Sequence, residues 1–379
     1  DIDIIDAFAL HGITLLSNAV ISHNPIQVSN ANTPITVNAN VALTYPWALG
    51  STNCFYKIND ASTWTNLSMN GVTSFNVSIP SQPNGTVISY YLSLTDNFGN
   101  ESAVTPIAAN LIPLKDANLP NFILVGYDIM QTEDFDGNFG FWQTGGFDDN
   151  ATTGLWEIGV PIPSYGVYGD PNTICQTDAQ NTPGGSQCAF TGNASSAQDG
   201  LGTNDVDGGH TSLYSPTYDL SAYVNPAFSY YRWYTNSPYS GANPGADWWQ
   251  VMITDDGINW VYVEDNISSD ISWRKFAFRV QDYVSLSNNV QLKFIASDSI
   301  RLGQNLDGGS LIEAAVDDLV LYESRETSSN VQNSDGSKNK LIKVTDILGR
   351  EVVNKDYMRH KVLIFIYDDG TVMRKFNTF

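Results

Sequence analysis

Phe228-Ser229-Tyr230-Tyr231-Arg232-Trp233-Tyr234 and, a short loop later, Trp248-Trp249-Gln250-Val251-Met252-Ile253 decide the class of this chain. Both runs are made of aromatic and β-branched residues, which fit a pleated, half-buried surface, and successive side chains on such a strand face opposite sides. Working outward, Lys275 to Val280, Val290 to Ile295 and Ala315 to Leu321 repeat the pattern behind it. Ahead of it lie Val41 to Tyr45, Cys54 to Ile58, Ser74 to Ile79 and Val87 to Leu94, separated by Pro, Gly and Asn turns. The fold class expected is all-β, as serial β-sandwich modules: an immunoglobulin-like unit, a jelly roll and a small C-terminal β-sandwich.

Composition narrows the function. Forty acidic against eighteen basic side chains leave a formal charge of −22, which repels a phosphate backbone and excludes nucleic acid as a partner. Such a charge suits solubility outside a cell, and clustered carboxylates can hold calcium. No apolar run reaches the roughly 20 residues of a transmembrane helix. The chain opens on Asp1 without a Met or a signal segment, which reads as a processed or truncated N-terminus.

Three cysteines are too few to staple the chain, so cores must hold it. Cys175 and Cys188 flank a Gly/Pro/Asn-rich loop and are candidates to pair, with Cys54 left as a buried apolar residue. The expected organisation is a lead-in at 1–25, in which Ile4 to Leu16 fits either a strand or the tail of an upstream domain. A sandwich follows at 26–116, a jelly roll at 117–323, a Ser/Asn/Asp/Gly linker at 324–339 and a terminal module at 340–379.

KVTDILGRE (Lys343 to Glu351), the strand containing Ile366-Tyr367, the turn Asp369-Gly370-Thr371 and the last strand Met373 to Phe376 resemble the C-terminal sorting domain of the Bacteroidetes type 9 secretion system, although no clear Pro-Asn-Pro opening strand is present. That resemblance implies the type 9 machinery as a partner and an extracellular or outer-surface location. GLWEIGVP (Gly154 to Pro161), CAFTGNA (Cys188 to Ala194), NDVDGGHTSLYSPTYDLS (Asn204 to Ser221), SYYRWY (Ser229 to Tyr234), SWRKFAFRVQDYV (Ser272 to Val284) and SLIEAAVDDLVLYE (Ser310 to Glu323) resemble a jelly-roll module often found downstream of secreted peptidases. The opening EDFDG (Glu133 to Gly137) and the closing VDDL are similar to the ends of MAM and galactose-binding-like jelly rolls. Those relatives commonly hold calcium where the first and last strands meet, which implies Asp136, Asp205, Asp207 and Asp318 as Ca2+ ligands, with Asp317 as the near alternative.

Other signals carry bland readings beside sharp ones. Thr254 to Trp260, TDDGINW, approximates an Asp-box turn and is expected to be structural. Tyr230, Tyr231, Trp233, Tyr234, Trp248 and Trp249 can line a sugar platform, but alternation sends about half of them inward and core packing is the better reading. Asp298-Ser299-Ile300 matches a short Bacteroidetes O-glycosylation pattern. The four histidines are scattered, with no HExxH pair, no GxSxG elbow and no CxxC. Asp148-Asp149 as a glycosidase pair is opposed by their adjacency, since neighbours on a strand face opposite sides.

The function expected is therefore a secreted or surface, non-catalytic binding or adhesion protein, with a glycan or a surface protein as ligand. The alternatives are the accessory C-terminal region of a larger secreted hydrolase such as a peptidase, or a self-associating subunit of an extracellular filament or matrix.

Overall fold

A computed structural model describes residues 8, 10–11, 19–97, 99, 101–106, 119–137, 140–241, 245, 247–298, 310–325, 341–346, 350, 352, 361–367 and 372–377. Strands make up 53% of the described residues, and the helical elements named among them are short 3-10 turns such as Pro46–Ala48, so the all-β expectation holds. No helix among the described residues is long and apolar enough to cross a membrane. Two compact units result, residues 1–326 and 327–379.

The first unit begins with a sandwich of ten strands: β1 Ala19–Ser22, β2 Val28–Ser29, β3 Ile35–Leu43, β4 Leu49–Ile58, β5 Thr65–Ser68, β6 Asn70–Gly71, β7 Ser74–Ile79, β8 Thr86–Asp96, β9 Glu101–Thr105 and β10 Asn121–Val125. One sheet runs β1-β3-β7-β6, and the other runs β2-β10-β8-β4-β5 with β9 on β8. Alternation explains the core: Ile35, Val37, Ala39 and Val41 of β3 point inward against Cys54, Leu92 and Leu94, while the residues between them are exposed.

β1 and β10 belong to this sandwich, so it starts before residue 26 and ends beyond 116, the bounds that turn signals suggested. β10 escaped notice because both of its faces are covered, which removes the alternation. Ile123 and Val125 enter the sandwich core, whereas Phe122 and Leu124 join Val87, Tyr127, Ala277 and Tyr322 in an apolar junction with the next sandwich.

That second sandwich follows without a spacer as β11 Tyr127–Glu133, β12 Gln143–Thr144, β13 Trp156–Gly159, β14 Cys188–Thr191, β15 Gly209–Tyr214, β16 Pro226–Gly241, β17 Trp248–Thr254, β18 Val261–Asn266, β19 Asp270–Arg279, β20 Gln291–Asp298 and β21 Ser310–Ser324. Its sheets are β13-β14-β21-β16-β19, with β11 on β21, and β12-β15-β20-β17-β18. Between them lie Tyr230, Tyr234, Trp249, Phe294 and Val316, all nearly inaccessible. Core packing thus accounts for four of the six platform candidates: Tyr230, Trp233, Tyr234 and Trp249 are buried.

A charged hub sits in this core. Glu264 Oε1 accepts from Trp249 Nε1 at 2.9 Å and from the Tyr230 hydroxyl, and Oε2 lies 3.4 Å from Arg232 Nε. Arg232 also donates to the Ser268 carbonyl and packs over the Trp249 ring. A buried charge needs such partners, because removing it from water costs several kcal/mol.

Cys54, Cys175 and Cys188 are buried free thiols, so the pairing considered for Cys175 and Cys188 is not made. Cys188 faces Phe190, Trp233 and Ala315 in a satellite core, while burial pushes the Cys54 thiol up to about 12.

The second unit is a three-stranded antiparallel sheet, β22 Leu341–Asp346, β23 Lys361–Tyr367 and β24 Val372–Asn377, close to the strands the sequence suggested. Val344 pairs with Phe365, and Phe365 with Met373. Most of Ile4 to Leu16, the linker from 326 onward, the turn at 368–370 and Ser299-Ile300 lie outside the described residues.

Candidate functional site

The four acids expected to share one calcium ion fall into two clusters. Val206, between Asp205 and Asp207, donates its amide to the Ile312 carbonyl on β21. Asp318 lies six residues further along that strand, roughly 20 Å at the rise of extended chain.

Asp136, Asp317 and Asp318 clamp the 181–187 loop. Asp136 Oδ1 accepts from Ser186 N at 2.7 Å, Ser186 Oγ at 3.0 Å and Gln187 N at 3.1 Å. Asp317 Oδ2 accepts from Asn181 N at 2.7 Å, and Asp318 takes Thr182 Oγ1 at 2.8 Å and Asn181 Nδ2 at 2.6 Å. The loop presses so close that a Cβ on Gly185 would stand 1.9 Å from Asp136 Oδ2. Burial, and then the Asp318 charge, push Asp317 up to about 7. Protein donors already serve these oxygens, which explains the acids as loop anchors.

The other cluster joins Asp205 and Asp207 to Asp298 at the end of β20 and to Glu313 on β21. Sequence reading missed the last two because Glu313 sits inside an apolar run and Asp298 was read only as part of a glycosylation pattern.

The outer face of the sheet β12-β15-β20-β17-β18 holds a groove of about 450 Å³, lined among others by Asp148, His210, Gln250, Met252, Trp260, Tyr262 and Lys293. Strand register builds its floor. Leu213, Phe294, Val251 and Ile253 face the core, so their neighbours Tyr214, Lys293 and Met252 face out, and Tyr262 extends the row across β18. Three strand spacings make this row about 14 Å long.

Lys293 is 7% exposed, yet it belongs to the outer face: its Nζ lies 5.4 Å from the centroids of both the Tyr214 and Trp260 rings. The same ammonium stands 3.8 Å from Asp148 Oδ2. In the adjoining row Gln250 Nε2 donates to Asp265 Oδ1 at 3.0 Å.

The TDDGINW turn positions Trp260. Asp256 Oδ1 accepts from Ile258 N at 2.8 Å and Asn259 N at 2.7 Å, bonds that hold its carboxyl well below the usual range. The turn is structural as expected, but Trp260 meets Tyr214 edge-on over the sheet.

At the groove's edge Asp148, Asp149 and His210 bring ligand atoms within 4.8 Å of one another, a convergence hidden by some sixty intervening residues. Asp149 is held by Ser212 N at 2.7 Å, Ser212 Oγ at 2.6 Å and Gly146 N at 2.9 Å. Lys293 supplies the compensating positive charge, so this trio reads as a polar rim. Phe147 beside it is fully exposed.

No family model matches the chain. No curated protein matches it either. Among solved structures, a cycloalternan-degrading enzyme from Trueperella pyogenes aligns over 52% of this chain and 29% of its own, at 13% identity and a TM-score of 0.18, an overlap too loose to carry an argument.

Proposed function

We propose that this chain is a non-catalytic extracellular binding protein that takes a glycan on the outer face of the jelly roll's five-stranded sheet. The observation that carries this reading is the row Tyr214, Lys293, Met252 and Tyr262 with Trp260 above it. Aromatic faces and a methionine offer apolar contact to a pyranose ring, while Lys293, Gln250, His210 and Asp148 offer donors and acceptors to its hydroxyls. A site of few polar groups on an apolar floor is the common form of a small-ligand site.

Rigid strands hold the floor, which limits the entropy lost on binding. Delivery to the cell surface or medium by the type 9 machinery, through the C-terminal sheet, belongs to the same proposal. It rests on the resemblance of residues 343–376.

A glycan array probed with the full chain and with Trp260→Ala tests the binding reading. The full chain should bind a restricted set of glycans and the variant should lose at least about 1 kcal/mol, fivefold or more in affinity, as for one lost stacking contact. Equal binding by both proteins, or none by the full chain, would refute it.

A further inference from the structure

A second depression, of about 510 Å³, opens between the two sandwiches, which both belong to the first compact unit. One wall is the outer face of the sheet β2-β10-β8-β4-β5, where strand register sets Phe122, Ser89 and Lys57 in one row. Part-exposed Trp64, just before β5, stands beside that row; its ring centroid is 4.9 Å from that of Tyr91, edge-on, and 5.0 Å from Lys57 Nζ. The facing wall is the side of the second sandwich made by Val263, Asp265 and Asn266 of the edge strand β18, by Phe276 of β19 and by Tyr283 beyond it. Burial, and then the charge of Asp60 from the first sandwich, push the Tyr283 hydroxyl up, so the two walls act on each other.

We infer that this cleft is a second subsite for the glycan held by the groove, so that the ligand is a neutral, linear oligosaccharide long enough to cross β18 from Trp260 to Trp64; the inference rests on the glycan reading. β18 joins the two depressions. Gln250, which lines the groove, and Asp265, which lines the cleft, are cross-strand partners, and Gln250 Nε2 donates to Asp265 Oδ1 at 3.0 Å. Because β18 is the edge strand of its sheet, a chain that leaves the groove over this pair crosses no further strand before it reaches the cleft.

The lining has the chemistry of a sugar site: Trp64, Phe276 and Tyr283 offer apolar contact, and Ser62, Asp60 and Asn266 offer donors and acceptors to hydroxyls. Charge selects against acidic ligands. Arg279 is held in an ion pair by Asp282, which leaves Lys57 against the exposed carboxylates of Asp60 and Asp265. The volume lies within the range of roughly 300–1,000 Å³ of small-ligand sites, which favour the seams between domains. The walls are also set before binding. Phe122 and Phe276 meet with ring centroids 4.8 Å apart, Gln27 Nε2 donates to the Tyr231 hydroxyl at 2.8 Å, and Asn225 Nδ2 donates to the Gly85 carbonyl at 3.0 Å. Contacts of this kind across the junction limit what a ligand must order.

The test is calorimetric titration of the full chain with cello-, laminari-, malto- and N-acetylchito-oligosaccharides, from disaccharide to hexasaccharide. At least one series should bind, with an affinity that rises from the disaccharide to the hexasaccharide. Trp64→Ala should lower the hexasaccharide affinity at least about fivefold, as for one lost stacking contact, and leave the disaccharide affinity unchanged. Trp260→Ala should lower both. If Trp64→Ala does not fold, Ser62→Arg, at an exposed position on the cleft's lining, should fill the cleft and give the same length-selective loss. An affinity that does not grow with length, or hexasaccharide binding unchanged by both cleft variants, would overturn the second subsite and leave the groove standing. Hexasaccharide binding lowered by Trp64→Ala but not by Trp260→Ala would refute the groove and, with it, the crossing chain. No binding in any series would overturn both.

Discussion

Replacing Glu264 by Gln tests whether the jelly-roll core depends on its charged hub. Gln keeps the shape and still offers Oε1 to Trp249 and Tyr230, but it turns an amide towards Arg232, which is 2% exposed. The guanidinium keeps its bond to the Ser268 carbonyl and its place over Trp249, and loses its only carboxylate ion-pair partner among the described residues. An uncompensated buried charge costs about 3–5 kcal/mol. At about 2–4 °C per kcal/mol for a large domain, the melting temperature should fall by roughly 6–20 °C. The assay is thermal and denaturant unfolding of Glu264→Gln, Arg232→Met and the double variant. The double variant should recover most of the loss, since a hydrophobic replacement of a buried pair is often neutral. A loss below about 1 kcal/mol in Glu264→Gln, or no recovery in the double variant, would refute the hub.

Two further outcomes follow from buried groups. Asp205, Asp298 and Asp317 are raised to about 7, 6 and 7, so between about pH 4 and 7 the folded state holds protons that the unfolded chain has lost. In chelator, stability should therefore fall as pH rises through that window and level off above it, read by denaturant titrations at fixed pH. Asp199, Asp219 and Asp256 are lowered and act in the opposite sense only at more acidic pH. The buried thiols of Cys54, Cys175 and Cys188 should react with a thiol reagent only on unfolding, and a reductant should leave the melting temperature unchanged.

Side-chain alternation made the sandwiches legible at Ser74 to Ile79 and in the aromatic runs around Tyr230 and Trp249, whereas β3 was read only at Val41 to Tyr45, the end of a strand that spans Ile35–Leu43. β10 lost that signal by being covered on both faces, and so the boundary between the sandwiches was misplaced. The acid set was legible by residue type but not by position, since β21 is long enough to carry Ile312 and Asp318 to separate places. The groove was hidden for a related reason. Lys293 lies between Leu292 and Phe294, and a lysine flanked by core residues already marks the outer face. Its companions Tyr214, Trp260 and Tyr262, however, come from β15, from the turn after β17 and from β18, and only strand register brings them together.

Hydroxyl-radical footprinting of the full chain with and without a bound oligosaccharide tests the central claim most directly. The account predicts protection centred on Trp260, Tyr262 and Met252, with the exposed Ile129, Met130 and Val224 unchanged. Protection elsewhere, with these three side chains as reactive as in the free chain, would contradict it.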